Sequence, residues 1–402
     1  MRRSTEQRVD MGPTRRSTIL FCDHTVSMSG GEIALSHLIR ALDKDRFEPV
    51  ALLFAEGPLN ARLRDMGVEV HALDLDASVA DVRKDTLKGG GLVRQLLQPS
   101  TPGFIAKLRR FMVDRHVDLV HTNSLKSDLL AGAAARLARR PLVWHIRDRI
   151  ADDYLPAAAA KAFRTACRIL PHRLIANSHA TLETLRLPSA ADTRGVVVHD
   201  GIPPISEPVA PYDWAQPVIG LVGRLSPWKG QHIFLDAAAI VRRSAPNARF
   251  LIIGAALFDE REYEAQIREQ CRRLGLDDLV TFTGFTEDVL GAYRRLTILV
   301  HASTVPEPFG QVVLEGMMEA RPVIATRGGG VTEIVLDGRT GVLVPMSDAQ
   351  AMAAAILELL ADPNRAEAMG RAARARAIDC FSIDRTARGV EAVYDSLLRS
   401  AC

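Results

Sequence analysis

Long apolar runs are missing from this chain of 402 residues. No window approaches the roughly 20 apolar residues that a membrane-crossing helix needs. Cysteine is scarce. Cys22, Cys167, Cys271, Cys380 and Cys402 are scattered, with no close pair to hold a metal. An odd, dispersed set fits reduced thiols in a cytoplasmic protein. A surplus of one charge is also lacking: 51 basic residues against 48 acidic ones leave +3, which does not mark a nucleic-acid binder. Several catalytic signatures are absent. No Gly-Lys-Ser/Thr closes a Walker loop, no Gly-x-Ser-x-Gly elbow occurs, and no His, Cys and Asp group has metal-ligand spacing. The full Gly-x-Gly-x-x-Gly dinucleotide fingerprint is missing too. The first sixteen residues carry five arginines, but no apolar stretch of signal-peptide length follows. Residues 1–16 read as a disordered extension.

What the chain does have is alternation. From Thr18 onward, short apolar runs alternate with amphipathic helical stretches, first Thr18–Cys22 and then Glu32–Leu42 with Leu35, Leu38, Ile39 and Leu42 on one face. This pattern predicts βαβ units and parallel sheets. Five prolines crowd 202–217, the best linker. The expected fold is α/β, with two Rossmann-like, doubly wound domains over 17–205 and 218–380, a linker over 206–217, and a C-terminal helix within 381–402 packing back on the first domain. Residues 78–103, rich in Gly, Pro, Ser and charge, read as a mobile loop. The carboxyl ends of both sheets would face one cleft, where ligands of such sheets bind.

Four constellations fall at expected strand ends. In Glu307-Pro308-Phe309-Gly310-Gln311-Val312-Val313-Leu314-Glu315, one acid stands where a strand hands over to a helix. A second stands two turns inside a helix expected over Pro308–Glu319. The free amides of a helix start hold anions or polar oxygens. Gly223-Arg224-Leu225-Ser226-Pro227-Trp228-Lys229-Gly230 places two cations on a glycine-bounded turn, suited to phosphate oxygens. Gly328-Gly329-Gly330 lets backbone approach a ligand, and Ser29-Gly30-Gly31-Glu32 opens the first helix. His121 and His145 end two first-domain strands and serve equally as structural histidines or as sugar-facing groups. Asp74-Leu75-Asp76 has the form of a metal-diphosphate motif, but so short a motif arises readily by chance.

Together these residues resemble the retaining glycosyltransferases of family 4. The resemblance runs from about Thr18 to Ser400 and is specific in the second domain, where Glu333-Ile334-Val335-Leu336-Asp337-Gly338-Arg339-Thr340-Gly341 continues it. It implies a GT-B fold, with an acceptor-binding first domain and a second domain that binds a nucleoside diphosphate sugar, UDP- or GDP-linked. Carried over, Arg224 and Lys229 hold the diphosphate, and Glu315 takes the ribose hydroxyls. Glu307 faces the sugar with the amides of Phe309 and Gly310. Gly30 and Gly31 reach the phosphates from the first domain, and Gly329, Gly330 and Glu333 line the nucleotide end. His145 matches the family's first-domain active-site histidine, and His121 is placed on the acceptor side. The implied reaction needs no metal and no protein nucleophile. One departure lies in Val300-His301-Ala302-Ser303-Thr304-Val305-Pro306, slightly longer than the family pattern.

Two rivals share the fold: a nucleotide-sugar 2-epimerase and a non-catalytic sugar-nucleotide binding module. The intact set of Arg224, Lys229, Glu307 and Glu315 argues against the latter. The acceptor is expected to be a glycan or a lipid-linked hydroxyl. Lys107, Arg109, Arg110 and Arg115 on one helix, with Arg136, Arg139 and Arg140 ending another, suggest either a solvated basic face or a patch for anionic membrane. The expected place is the cytoplasm, at the inner face of the cell membrane if that patch is used.

Overall fold

The computed structural model describes residues 15–75, 98–188, 194–256 and 260–399. Two all-parallel sheets carry the fold. The first is built from β1 (Ser17–Asp23), α1 (Gly30–Ala41), β2 (Phe47–Leu53), α2 (Pro58–Asp65), β3 (Glu69–Ala72), α3 (Thr101–Asp114), β4 (Leu119–Thr122), α4 (Leu125–Leu137), β5 (Leu142–Ile146), α5 (Ala157–Ile169), β6 (Arg173–Ala176), α6 (His179–Thr184) and β7 (Gly195–Val197). Its strand order is β3-β2-β1-β4-β5-β6-β7. The second contains β8 (Val218–Val222), α7 (Gln231–Val241), β9 (Arg249–Ile253), α8 (Arg261–Arg273), β10 (Val280–Gly284), α9 (Val289–Arg294), β11 (Ile298–His301), α10 (Gln311–Met318), β12 (Val323–Thr326), α11 (Val331–Ile334) and β13 (Val342–Val344). Its order is β10-β9-β8-β11-β12-β13. Helices α12 (Ala349–Ala361), α13 (Pro363–Phe381) and α14 (Ile383–Leu398) close the chain.

Central strands are covered on both faces, so they read as unbroken apolar runs. Ile19, Leu20, Phe21 and Cys22 of β1 are all fully buried. Alternate residues enter different cores: Leu20 and Cys22 meet α3 and α4, whereas Ile19 and Phe21 meet α1 and α14. In each sheet the winding reverses between two neighbours, β1 and β4 in one, β8 and β11 in the other. A crevice opens at the carboxyl ends of such a pair. These two crevices position the site.

The chain crosses between the sheets twice, side by side. Ile202 bridges Ser382, with Ile202 N donating to Phe381 O at 3.1 Å and Ile383 N donating to Ile202 O at 3.0 Å. A Cβ on Gly201 would stand 2.5 Å from Ser382 O, so the close approach requires glycine. After this crossing α14 returns to the first sheet and buries Val390 and Tyr394 there. The segment before β8 lies on the second unit, with Tyr212 donating to Ala320 O at 2.6 Å and Trp214 Nε1 to Glu367 at 2.9 Å.

Several expectations are corrected. Arg15 and Arg16 lie outside any disordered stretch: Arg15 pairs with Asp118 at 3.2 Å. Of the expected loop 78–103, residues 78–97 fall outside the described residues, and the remainder already enters α3 at Thr101. The helix expected from Pro308 starts at Gln311, because Gly310 adopts φ +113 and forms a left-handed N-cap. Glu315 therefore stands only about one turn inside it. The short helices α6 and α9 were not legible as periodicity over six residues. Among the described residues, no helix is long and apolar enough to cross a membrane.

Candidate active site

The second sheet supplies the cations. Gly223, at φ +150, turns the chain away from β8. Pro227–Lys229 forms a single 3-10 turn, and Gly230, at φ +73, opens α7. A Cβ on Gly230 would stand 1.9 Å from Ala302 O, so the turn is pressed onto the end of β11. Lys229 Nζ lies 2.7 Å from Glu307 Oε1 and 4.4 Å from the Trp228 ring centroid. Arg224 sits on the same ring at 5.9 Å, with its Nε 3.1 Å from Glu260.

Glu307 is 6% exposed. Its Oε1 also accepts from His301 Nε2 at 2.9 Å and from Ser303 Oγ. Burial alone would raise this carboxyl. The Lys229 charge and His301 outweigh it and hold Glu307 well below the usual range, so it is ionised. Oε2 accepts no hydrogen bond among the described residues and is the oxygen open to a ligand. Just beyond it, the amides of Phe309, Gly310, Gln311 and Val312 make no hydrogen bond among the described residues. They stand at the positive end of α10. One turn on, Glu315 receives the Tyr293 hydroxyl at 2.7 Å.

The first sheet contributes a buried polar net. Arg147 follows β5 and is tied down by Asn123 Oδ1 at 2.8 Å and by Asp200. Asn123 Nδ2 in turn donates to Asp23 at 2.7 Å, and Asn177 Nδ2 to Asp200 at 3.2 Å. The Arg147 side chain passes 3.8 Å from where a Cβ of Gly31 would be. Gly30 and Gly31 begin α1, which Ser29 and Glu32 close with a capping box.

Contacts across the cleft converge on the segment after β11. Pro308 O accepts from Ser178 Oγ at 2.6 Å and Thr181 Oγ1 at 3.1 Å, and Arg149 donates to Pro306 O at 3.1 Å. A cation turn, an ionised acid, unpaired amides and a glycine-lined helix start thus share the mouth of one two-sheet cleft.

Comparison with known proteins places this arrangement. The family model described as Glycosyl transferase 4-like domain matches residues 29–201, and that described as Glycosyl transferases group 1 matches residues 210–376. The chain belongs to the family 4-like glycosyltransferases of GT-B fold. The lipopolysaccharide core biosynthesis mannosyltransferase LpsB of Rhizobium meliloti is 30% identical over 56% of the chain and 66% of that protein. A D-inositol 3-phosphate glycosyltransferase of Segniliparus rotundus is 37% identical over 46% of the chain and 41% of that protein. The matched stretch thus spans about two-fifths to two-thirds of these relatives' length. Anabaena HepE, solved in complex with UDP-glucose, superposes with a TM-score of 0.80 at 27% identity, covering 94% of this chain and 100% of that one.

Some expected site residues are engaged within the protein itself. His121, expected on the acceptor side, is fully buried and bonded to Tyr394 and His145, so it cannot touch an acceptor. Glu333 is held by the first sheet's side of the cleft. Its oxygens accept from the amides of His179 at 3.0 Å and Ala180 at 2.9 Å, and from His199 Nε2 at 2.8 Å. The capping of α6 takes up this carboxylate. Gly329 and Gly330 lie against the backbone of Glu307 and Pro308: their Cβ atoms would stand 2.0 Å from Glu307 O and 2.5 Å from Pro308 O. The Gly330 amide is spent on Glu307 O at 3.0 Å. His145 lies one residue before the end of β5, with its ring fully buried and Nε2 unpaired. Sequence reasoning missed Arg147, Asn123, Asp200, Tyr293 and Ser178. It quoted His301 and Ser303 without a role, although both hold Glu307. Among the described residues only His179, His199 and Glu333 have metal-ligand atoms gathered, within 4.8 Å, where segments of the two sheets meet.

Burial and the Asp23 charge push the Glu32 carboxyl up to about 7. An unfolded Glu ionises near 4.3, so between these values the folded state holds the extra proton. Stability is therefore greatest below the lower value and falls as pH rises through the window, by on the order of 3 kcal/mol. Glu32→Gln should flatten that fall while keeping the cap. Melting temperatures from pH 4.5 to 8 check it, and an unchanged slope would refute the assignment.

Proposed function

We propose that this glycosyltransferase moves a hexosyl unit from a UDP- or GDP-linked sugar to a hydroxyl of a glycan or lipid-linked acceptor, with retention and without a metal. The observation that carries the reading is the pairing of Lys229 with Glu307 beside the unpaired amides of α10. A cation and a helix start await the diphosphate, and an ionised acid with a free oxygen awaits sugar hydroxyls. HepE, described with UDP, UDP-glucose and glucose, supports a nucleotide-sugar donor. In the reaction the acceptor oxygen bonds the anomeric carbon as the carbon–phosphate oxygen bond breaks. The acceptor proton passes to the departing phosphate. Arg224, Lys229 and the amides stabilise the charge that grows there.

A thermal-shift panel of UDP, GDP, ADP and dTDP sugars tests the donor. One base should raise the melting temperature by mass action, and a flat panel would sink the reading. We also read the exposed Leu137, 61% accessible at the end of α4, together with Arg136, Arg139, Arg140 and the basic residues of α3, as a surface for anionic lipid. Co-sedimentation with phosphatidylglycerol vesicles should exceed that with phosphatidylcholine vesicles at least tenfold. Equal binding refutes the surface.

A further inference from the structure

Three side chains able to bind a metal gather near the place where the chain crosses between the sheets, and none belongs to the cation turn or to the Glu307 segment. His179 is the first residue of α6 in the first unit, and Glu333 lies in α11 of the second. His199 stands between β7 and the crossing at Ile202. Their ligating atoms all lie within 4.8 Å of one another. His179 is exposed, and the side chains of His199 and Glu333 are 30% and 17% accessible. An ion can therefore reach all three from solvent.

Two of the three are already held in place. The Glu333 carboxylate accepts the amides of His179 at 3.0 Å and Ala180 at 2.9 Å, and its backbone carbonyl accepts from Arg376 at 2.8 Å. His199 O accepts from Thr386 Oγ1 at 2.8 Å, and its ring packs edge-on against Phe381 at 5.4 Å. Metal sites depend on such hydrogen bonds and packing behind their ligands. His199 Nε2 faces Glu333 Oε2 at 2.8 Å. A carboxylate only accepts, so the proton between them belongs to the imidazole. It also has about four lone-pair sites, so the two amides leave it room for an ion. Around a tetrahedral zinc, ligand atoms stand roughly 3.3 Å apart. The facing pair must open by about half an ångström to reach that spacing, and the exposed His179 ring must swing inward. The neutral His199 ring then carries its proton on Nδ1, and its Nε2 lone pair turns to the ion. A water fills the fourth position.

We propose that His179, His199 and Glu333 form a zinc site that clasps the two units together. Two imidazoles and one carboxylate suit zinc, whereas magnesium and calcium prefer oxygen alone. Because the ligands come from both units, a bound ion fixes the opening of the cleft and slows any step that needs the units to part, such as product release. The ion takes no part in the transfer, and the site is independent of the donor reading above.

The test titrates zinc chloride into the full chain carrying Cys380→Ser and Cys402→Ser, which removes competing thiols. Calorimetry at pH 7.5 should show a single ion bound in the micromolar range, and magnesium chloride should give no heat. His179→Ala, at an exposed position, should keep the fold and weaken zinc at least about tenfold, since even a group behind a ligand contributes that much. His179→Cys, which offers a thiolate instead, should restore binding. Zinc should raise the melting temperature of the parent by mass action. It should also lower the parent's kcat while leaving that of His179→Ala within about twofold. Absence of zinc binding overturns the site. So does equal affinity in the parent and His179→Ala, which would mean an ion held elsewhere. Binding that depends on His179 but leaves kcat untouched overturns the clasp.

Discussion

Glu307→Gln should lower kcat about 100- to 1,000-fold, the loss typical when one preorganised charge is removed from a transition state. The amide keeps the volume and can still accept from His301 and Ser303. It cannot balance Lys229, nor offer the sugar an anionic oxygen. The variant should also lose on the order of 3 kcal/mol of stability, because a buried cation is left without its partner. The side effect on ligand binding has the opposite sign. Lys229, released from Glu307, is free for phosphate, so UDP should bind as well as or better than in the wild type. Steady-state kinetics, a thermal melt and UDP calorimetry together check the variant. Undiminished transfer would remove Glu307 from the site, and markedly weaker UDP binding would place its oxygen on the phosphate side.

Lys229→Met should do the reverse. The stem keeps its packing on Trp228, and the charge is lost. A charge-assisted hydrogen bond to phosphate contributes roughly 1.5–3 kcal/mol, so the UDP Kd should rise about 10- to 100-fold. Glu307 then loses the cation that holds its carboxyl down. Burial, the opposing influence, would raise it, and the activity of the variant should fall off at a higher pH than that of the wild type as pH is lowered. The direction follows because a depressed carboxyl keeps its charge to lower pH. Calorimetry and a pH–rate profile from 5 to 8 read both effects, and an unchanged UDP Kd is the result that would count against the cation's role.

The second half of the cleft was legible because its parts are contiguous. Gly223 to Gly230 falls directly after an apolar run and Glu307 to Glu315 soon after another, and one short stretch carries the cations and the turn, the other the acids and the helix start. The first half was not. Asp23, Asn123, Arg147 and Asp200 are single polar residues at the ends of separate strands, and only the order β1-β4-β5-β6 brings them into one net. Glycine was the most ambiguous signal. Gly329 and Gly30 look alike in sequence. One makes room for the Glu307 backbone and the other meets nothing within 4 Å, a distinction that depends on what is packed alongside. Histidine failed similarly. His121 and His145 each stand one residue before the end of neighbouring strands, and the helix that covers His121 arrives from the far end of the chain. Helix starts were misread where glycine at positive φ delays them, as at Gly310.

That late arrival has a consequence for synthesis. The first sheet is made first, but its core includes Ala387, Val390, Val393 and Tyr394. Until those residues leave the ribosome, Phe47 lacks its edge-on partner Tyr394 and one apolar flank of β1 stays open. The entire second domain is translated in between, a delay of roughly 10–40 s at ordinary elongation rates. The second sheet draws nothing from α14 for its strands and is free to fold ahead of its elder neighbour. The order of completion is then the reverse of the order of synthesis, and the last helix finishes the half that was begun first.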